Sequence, residues 1–180
     1  MADKLSLDTK VFLEEANKKA IKSIGKLNAF AYPKIDHISI NIGVGKFENK
    51  DKDEIANYLY KLTSQKPKKV KTTKSISGFN LRSGAIVGLQ ATLRGQKMYD
   101  FLLNLIYVAL PRGRDFKGVS TTAFDKTLKT YSLGIRTAGI FPVIGFDIAK
   151  EFGLQVNIVF KAGTKNNQLL LESLNFPFSK

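Results

Sequence analysis

The sequence predicts an α+β fold: a mostly antiparallel sheet with helices packed on one face and a polar face left on the other. Three observations carry this. Several short segments alternate strictly between apolar and polar residues, which is the mark of half-buried strands. Longer segments repeat their apolar residues at helical spacing, enough to cover one side of a sheet. Proline and glycine separate the two kinds of segment. The 180 residues suit one domain with a real core, residues 1–180, carrying a helical N-terminal segment and two long basic loops.

Residues 1–30 read as that helical segment, with Phe12, Leu13, Ala16, Ala20, Ile24 and Leu27 on one stripe before Pro33 breaks the pattern. IDHISINIGVG follows as a strand, with Ile38, Ile40, Ile42 and Val44 on one face and His37, Ser39 and Asn41 on the other. Asp53 to Leu62 is expected as a helix whose first-turn acids suit its dipole. Lys68 to Ser75 is expected as a basic strand, with residues 74–84 forming an exposed basic loop. AIVGLQATLRG then places Ala85, Val87, Leu89, Ala91 and Leu93 opposite Ile86, Gln90, Thr92 and Arg94. Gln96 to Leu110 is predicted as one helix, stopped by Pro111. Residues 111–130 lack periodicity and read as a second extended basic loop, of a length that is usually functional or disordered. YSLGIR and LQVNIVFKA are two further strands, and Asn166 to Leu174 is a terminal amphipathic helix.

The predicted polar face gathers Ser39, Asn41, Gln90, Thr92, Arg94, Ser132, Arg136, Gln155 and Asn157, with neither an acid nor an aromatic ring. The net charge of +14 is concentrated as well: residues 55–144 hold fifteen basic and three acidic residues, and no Asp or Glu occurs from Ile55 to Tyr99. A localised positive field of this kind attracts polyanions, of which nucleic acid is the usual one. Small polar groups with arginines suit close approach to a sugar–phosphate backbone. The absence of aromatics argues against stacking of splayed bases and for the shape of a folded RNA. Lys66, Lys68, Lys69, Lys71, Lys74 and Arg82, on one strand and its loop, and Arg112, Arg114 and Lys117, on the second loop, are placed to reach phosphates.

Other chemistries fail on spacing. GVGK at 43–46 has Ile40 where a phosphate loop needs glycine and Phe47 where it needs Ser or Thr, and Glu48 occupies the last glycine position of a dinucleotide fingerprint. His37 is the single histidine, so neither a triad nor a two-histidine metal site can be built on it. Asp51, Asp53 and Glu54 sit at a helix start, where the dipole explains them without a metal. No cysteine is present, and no apolar run reaches membrane-spanning length. MADKLSLDTKVF lacks the apolar core of a secretory signal. The expectation is a cytoplasmic, non-enzymatic protein with no cofactor, no metal and no membrane partner.

The blocks PKIDHISINIGVG, TSQKPKKVKTTKSISGFNLRSG, ATLRGQKMYDFL, IYVALPRGRDFKG, YSLGI and IFPVI closely resemble, in order over roughly residues 20 to 178, the bacterial-type large-subunit ribosomal protein five family. The resemblance implies an α+β fold without enzymatic activity. It also implies binding to 5S rRNA in the central protuberance of the large subunit and contact with 23S rRNA, peptidyl-site tRNA, neighbouring large-subunit proteins and a small-subunit bridge protein of the S-thirteen family. Carried over by motif, Asn41, Gln65 and Thr92 would touch 5S rRNA, joined by Lys66, Lys68, Lys69, Lys71, Arg94 and Ser132. Lys74, Ser75, Ser77, Gly78, Phe79, Asn80 and Arg82 would approach the tRNA, and Arg112, Arg114 and Lys117 would serve the bridge side. The chain departs from the family at Leu128 and Lys129, where a glycine is common, at Thr137–Ala138, at Val143, and in its ending Asn175-Phe176-Pro177-Phe178. A free-standing RNA-binding regulator, or an RNA-modifying enzyme using the basic surface, stands as the alternative.

Overall fold

The structure is a computed structural model that describes residues 32–75, 77–79, 81–114, 116–142, 151–161 and 166–179. The helical segment expected over residues 1–30, together with Asn80 and Val143, lies outside the described residues. Five strands, β1 (Ile35–Gly43), β2 (Lys68–Lys71), β3 (Ile86–Leu93), β4 (Thr130–Ile135) and β5 (Leu154–Phe160), form one sheet. Their order is β2-β3-β1-β5-β4, and every pairing is antiparallel. Among the described residues three α-helices, α1 (Asn49–Thr63), α2 (Gln96–Asn104) and α3 (Asn166–Ser173), join the sheet in an α+β fold.

Alternation places the core. Ile38, Ile40 and Ile42 of β1, Leu89, Ala91 and Leu93 of β3, and Val156 and Ile158 of β5 are buried in one cluster. Ile55, Tyr58 and Leu59 of α1, Met98, Phe101 and Leu102 of α2, and Leu170 and Leu171 of α3 belong to the same cluster. All three helices thus cover one face. A one-residue slip of β1 would turn three fully buried isoleucines to water, so its register is strongly specified.

The boundaries differ from expectation in four places. Helix α1 starts at Asn49, four residues before the expected Asp53, because the polar run ENKDKDE gives no apolar mark of its first turn. The helix expected over Gln96 to Leu110 gives way at Leu105–Ala109 to a π-helical turn, in which the Leu110 amide reaches back five residues to the Leu105 carbonyl at 2.9 Å. Strand β2 stops at Lys71 rather than Ser75. A register irregularity intervenes between Val70 and Lys71, and Thr72 then turns its hydroxyl to the Arg82 carbonyl at 2.6 Å.

Residues 111–130 are the fourth. Within them lie a 3-10 turn at Thr121–Ala123, a turn closed by the Leu128 amide on the Asp125 carbonyl, and a bridge between Phe124 and Tyr131. The segment is also strapped to the C-terminal tail. The Val119 amide donates to the Pro177 carbonyl at 2.8 Å, and the Ser179 amide donates to the Val119 carbonyl at 2.9 Å. Gly118 makes this possible: its φ is +97, and a Cβ there would stand 2.7 Å from the Ser179 backbone. Beneath the strap Tyr131, Phe176 and Phe178 pack ring against ring, and the Tyr131 hydroxyl donates to the Ser120 carbonyl at 2.9 Å.

Candidate nucleic-acid interface

The face of the sheet opposite the helices is organised by register into cross-strand rows. One row runs Thr92, Ser39, Asn157, Ser132 across β3, β1, β5 and β4. The next runs Lys68, Gln90, Asn41, Gln155, Gly134 across all five strands. Neighbours in a row stand about 4.8 Å apart, so each row is a fixed ruler of polar groups. Asn41, Gln90, Ser132 and Gln155 are exposed, while Ser39, Thr92 and Asn157 are half-buried. No carboxylate stands in either row. The Gln155 amide donates to the Asn157 carbonyl oxygen at 3.1 Å, tying the two rows together.

One acid, Asp36, stands at the start of β1. Its carboxylate accepts from His37 Nδ1 at 2.7 Å, and that hydrogen bond holds its pKa below the usual carboxylate value, with partial desolvation opposing and the charges of His37, Arg94 and Lys161 assisting. Behind the sheet, burial pushes the Tyr58 hydroxyl up to about 12 and raises Tyr131 further still. Tyr58 donates to the Ala138 carbonyl at 2.7 Å, so these are neutral structural phenols.

The structure distributes the remaining predicted residues unevenly. Asn41, Thr92, Lys68 and Ser132 share the rows, and exposed Arg94 follows the end of β3. Gln65 stands at their edge, and its Nε2 donates to the Thr92 carbonyl at 3.0 Å. It thereby fixes the end of α1 to the strand bearing Thr92. The lysines of β2 do not act together. Lys68 lies opposite Gln90 in the polar row, whereas Lys69, one residue on, lies opposite Leu89 and ion-pairs with Asp53 of α1 at 2.6 Å. Lys66 and Lys71 are exposed at either end of this strand.

The arm that continues β2 is laced across its base. Besides the Thr72 bond, Ser83 Oγ donates to the Thr73 carbonyl at 3.2 Å and Ser75 Oγ to the Leu81 carbonyl at 3.0 Å. Ser77–Phe79 make one 3-10 turn that includes Gly78. Lys74, Ser75, Ser77, Gly78 and Arg82 are exposed. Arg112, Arg114 and Lys117 are exposed too, but their segment is rooted through the tail strap and Tyr131 in the helix-side layer, not in the polar rows.

Two positions in the surface escaped the sequence reading. Gly43 and Gly134 fall two residues beyond Asn41 and Ser132, at the same parity, where the alternation of β1 and β4 would have placed them had it been continued. With no side chain to classify, neither was marked as part of the face.

Among the described residues no three His, Cys, Asp or Glu side chains gather where they could share a metal ion, and no helix is long and apolar enough to cross a membrane. Fold and surface together define a scaffold of the α+β class, one face of its sheet given to packing and the other uncovered among the described residues. A family model described as Ribosomal protein L5 matches residues 28–82, and one described as the ribosomal L5P family C-terminus matches residues 86–178. The chain is 42% identical over 173 residues to large ribosomal subunit protein uL5 of Pediococcus pentosaceus, covering 94% of this chain and 96% of the relative. It is 42% identical over 168 residues to the protein of that name from Buchnera aphidicola (91% and 93% covered), and 40% identical over 173 residues to that of Streptococcus pneumoniae (94% and 96% covered). The chain belongs to the ribosomal protein L5 family, and is thus a structural constituent of the large ribosomal subunit and not an enzyme.

Proposed function

We propose that this protein binds 5S rRNA through the polar sheet face and anchors it in the central protuberance. The observation that carries the reading is the pair of in-register rows, free of acid, offering hydroxyls and carboxamides at fixed spacing. Backbone phosphates and 2′-hydroxyls of a folded RNA accept and donate hydrogen bonds at such a surface without unstacking bases onto aromatic rings. Asn41, Thr92, Ser132 and Lys68 make direct contacts, with Arg94 beside them. Gln65, whose Nε2 is occupied by the Thr92 carbonyl, acts mainly by holding β3 in place. The arm from Lys74 to Arg82 reaches toward peptidyl-site tRNA. Arg112, Arg114 and Lys117, on the other side, serve 23S rRNA and the S-thirteen bridge partner. Lys69 contributes less than its neighbours because Asp53 already neutralises it.

The test is 5S rRNA affinity of Thr92→Val and Asn41→Ala. Val keeps the shape and strand preference of Thr while removing the hydroxyl. Each variant is expected to lose about tenfold, the loss of one hydrogen bond at a desolvated interface. Unchanged affinity in both would sink the assignment of the face.

A further inference from the structure

The two rows end differently. At the Thr92–Ser39–Asn157–Ser132 row every position carries a side chain, and the face is filled. One step further along the strands, the row containing Asn41 and Gln155 ends on Gly134, and β1 ends on Gly43. Nothing lies within 4 Å of where a Cβ would stand at either glycine. The surface therefore drops from a filled terrace to a bare backbone floor. An open concavity of about 470 Å³ sits there, lined by Asn41, Gly43, Gly134, Arg136, Gly153 and Gln155 among others. It is a shallow depression open to solvent rather than an enclosed cavity. Gly153 keeps one wall close: a Cβ there would stand 3.0 Å from the Ile135 carbonyl oxygen and 3.2 Å from that of Arg136.

The chemistry of the lining is specific in kind. Asn41 and Gln155 each bring a carboxamide, with donor and acceptor side by side, as the edge of a nucleobase does. Arg136 is exposed at the rim, and among the described residues no carboxylate pairs with it. Its guanidinium can take a phosphate or lie flat on a base. Among the described residues no aromatic ring lines the hollow. A helical RNA backbone lying on the terrace would leave the floor empty, because a regular duplex surface has nothing to fill a local depression.

We propose that this glycine-floored hollow receives one unpaired nucleotide of the bound RNA. The carboxamides of Asn41 and Gln155 read the base edge, and Arg136 holds the adjoining phosphate or covers the base. The inference rests on the reading of the sheet face as the 5S rRNA surface and adds a single-nucleotide subsite to it. Gly43 and Gly134 act by absence of volume, and Arg136 and Gln155 become contact residues in their own right.

The experiment pairs protein variants with RNA lacking single bases. Wild-type protein, Gly134→Val and Arg136→Ala are titrated with intact 5S rRNA and with a set of 5S rRNAs, each carrying one abasic nucleotide at an unpaired position. Val is a good strand residue and its Cβ would have no heavy atom within 4 Å at position 134, so the melting temperature should not fall. Gly134→Val is expected to bind intact RNA about tenfold more weakly. One abasic RNA should bind wild-type protein more weakly by a similar factor and show no further loss with Gly134→Val or Arg136→Ala. If Gly134→Val binds as wild type, or if every abasic loss adds in full to that of Gly134→Val and Arg136→Ala, the hollow holds no base. Should Gly134→Val fold poorly, the Arg136→Ala cycle decides alone by the same criterion. Affinity that depends on Thr92 but not on Gly134 overturns only this inference. Affinity independent of both Thr92 and Asn41 overturns the reading beneath it.

Discussion

The polar sheet face and the two basic segments are both rich in groups that suit RNA, but they are built on opposite plans. On the face, each side chain is fixed by strand register: Ser39 stands opposite both Thr92 and Asn157, and Asn41 opposite both Gln90 and Gln155. In the arm and the 111–118 segment the backbone is laced down by hydrogen bonds, while the charged ends of Lys74, Arg82, Arg112, Arg114 and Lys117 stand free in water. A ruler of short polar groups discriminates shape at contact distance, whereas long cations act over a Debye length and discriminate little. The difference teaches that charge density and recognition need not coincide, and that in this chain many of the exposed cations lie off the most geometrically defined surface.

The contrast breaks most visibly if acid is placed on the ruler. Asn41→Asp combined with Gln90→Glu puts two carboxylates opposite one another in the central row. It should lower 5S rRNA affinity on the order of a hundredfold, through phosphate repulsion and loss of the carboxamide donors. A titration in physiological salt reads the effect, and a loss below threefold would mean that the face is not the contact surface. The contrast is sharpened by Lys74→Ala with Arg82→Ala. If the arm contributes by counterion release, the slope of log affinity against log salt for any RNA it touches should become shallower by about 1.4 to 1.8, with affinity at high salt nearly unchanged. A loss equal at all salt concentrations would instead make the arm a recognition element.

The smallest effect concerns the frame of the second segment. Leu128 adopts a left-handed conformation, φ 54, and its carbonyl accepts from buried Asn167 at 2.7 Å. Leu128→Gly should relieve the backbone strain at the cost of chain entropy and some partly buried surface. The net stabilisation should be about 0.5 kcal/mol, read by denaturant melts, without any change in RNA affinity.

Much of this was legible from residue order. The alternation in IDHISINIG and LQVNIVF fixed both the buried and the open face, since period two has no other consequence. The division of labour within KKVK was not legible. A four-residue strand with lysine at both parities shows no alternation, and only pairing with Gln90 and Leu89 reveals that Lys68 and Lys69 look opposite ways. The π-helical turn at Leu105–Ala109 was hidden because, over five residues, its apolar spacing differs too little from an α-helix. The tail strap was hidden because Gly118 and Ser179 meet only in three dimensions. The glycine floor lay in plain view of the alternation, but a residue without a side chain carries no hydropathy signal.

The sheet order has a consequence for how the chain is made. Strand β1 is the central strand, and its two neighbours are β3 and β5: Ile38 stands between Leu93 and Ile158. Both partners are synthesised after it, the second near the end of the chain. Pairings of such long sequence separation close large loops before they gain any contact, which slows folding. The isoleucine-rich strand that later forms the middle of the core can pair with β3 once that strand has been made, but its other edge stays open until β5 follows, and the nascent chain is exposed to aggregation over that interval.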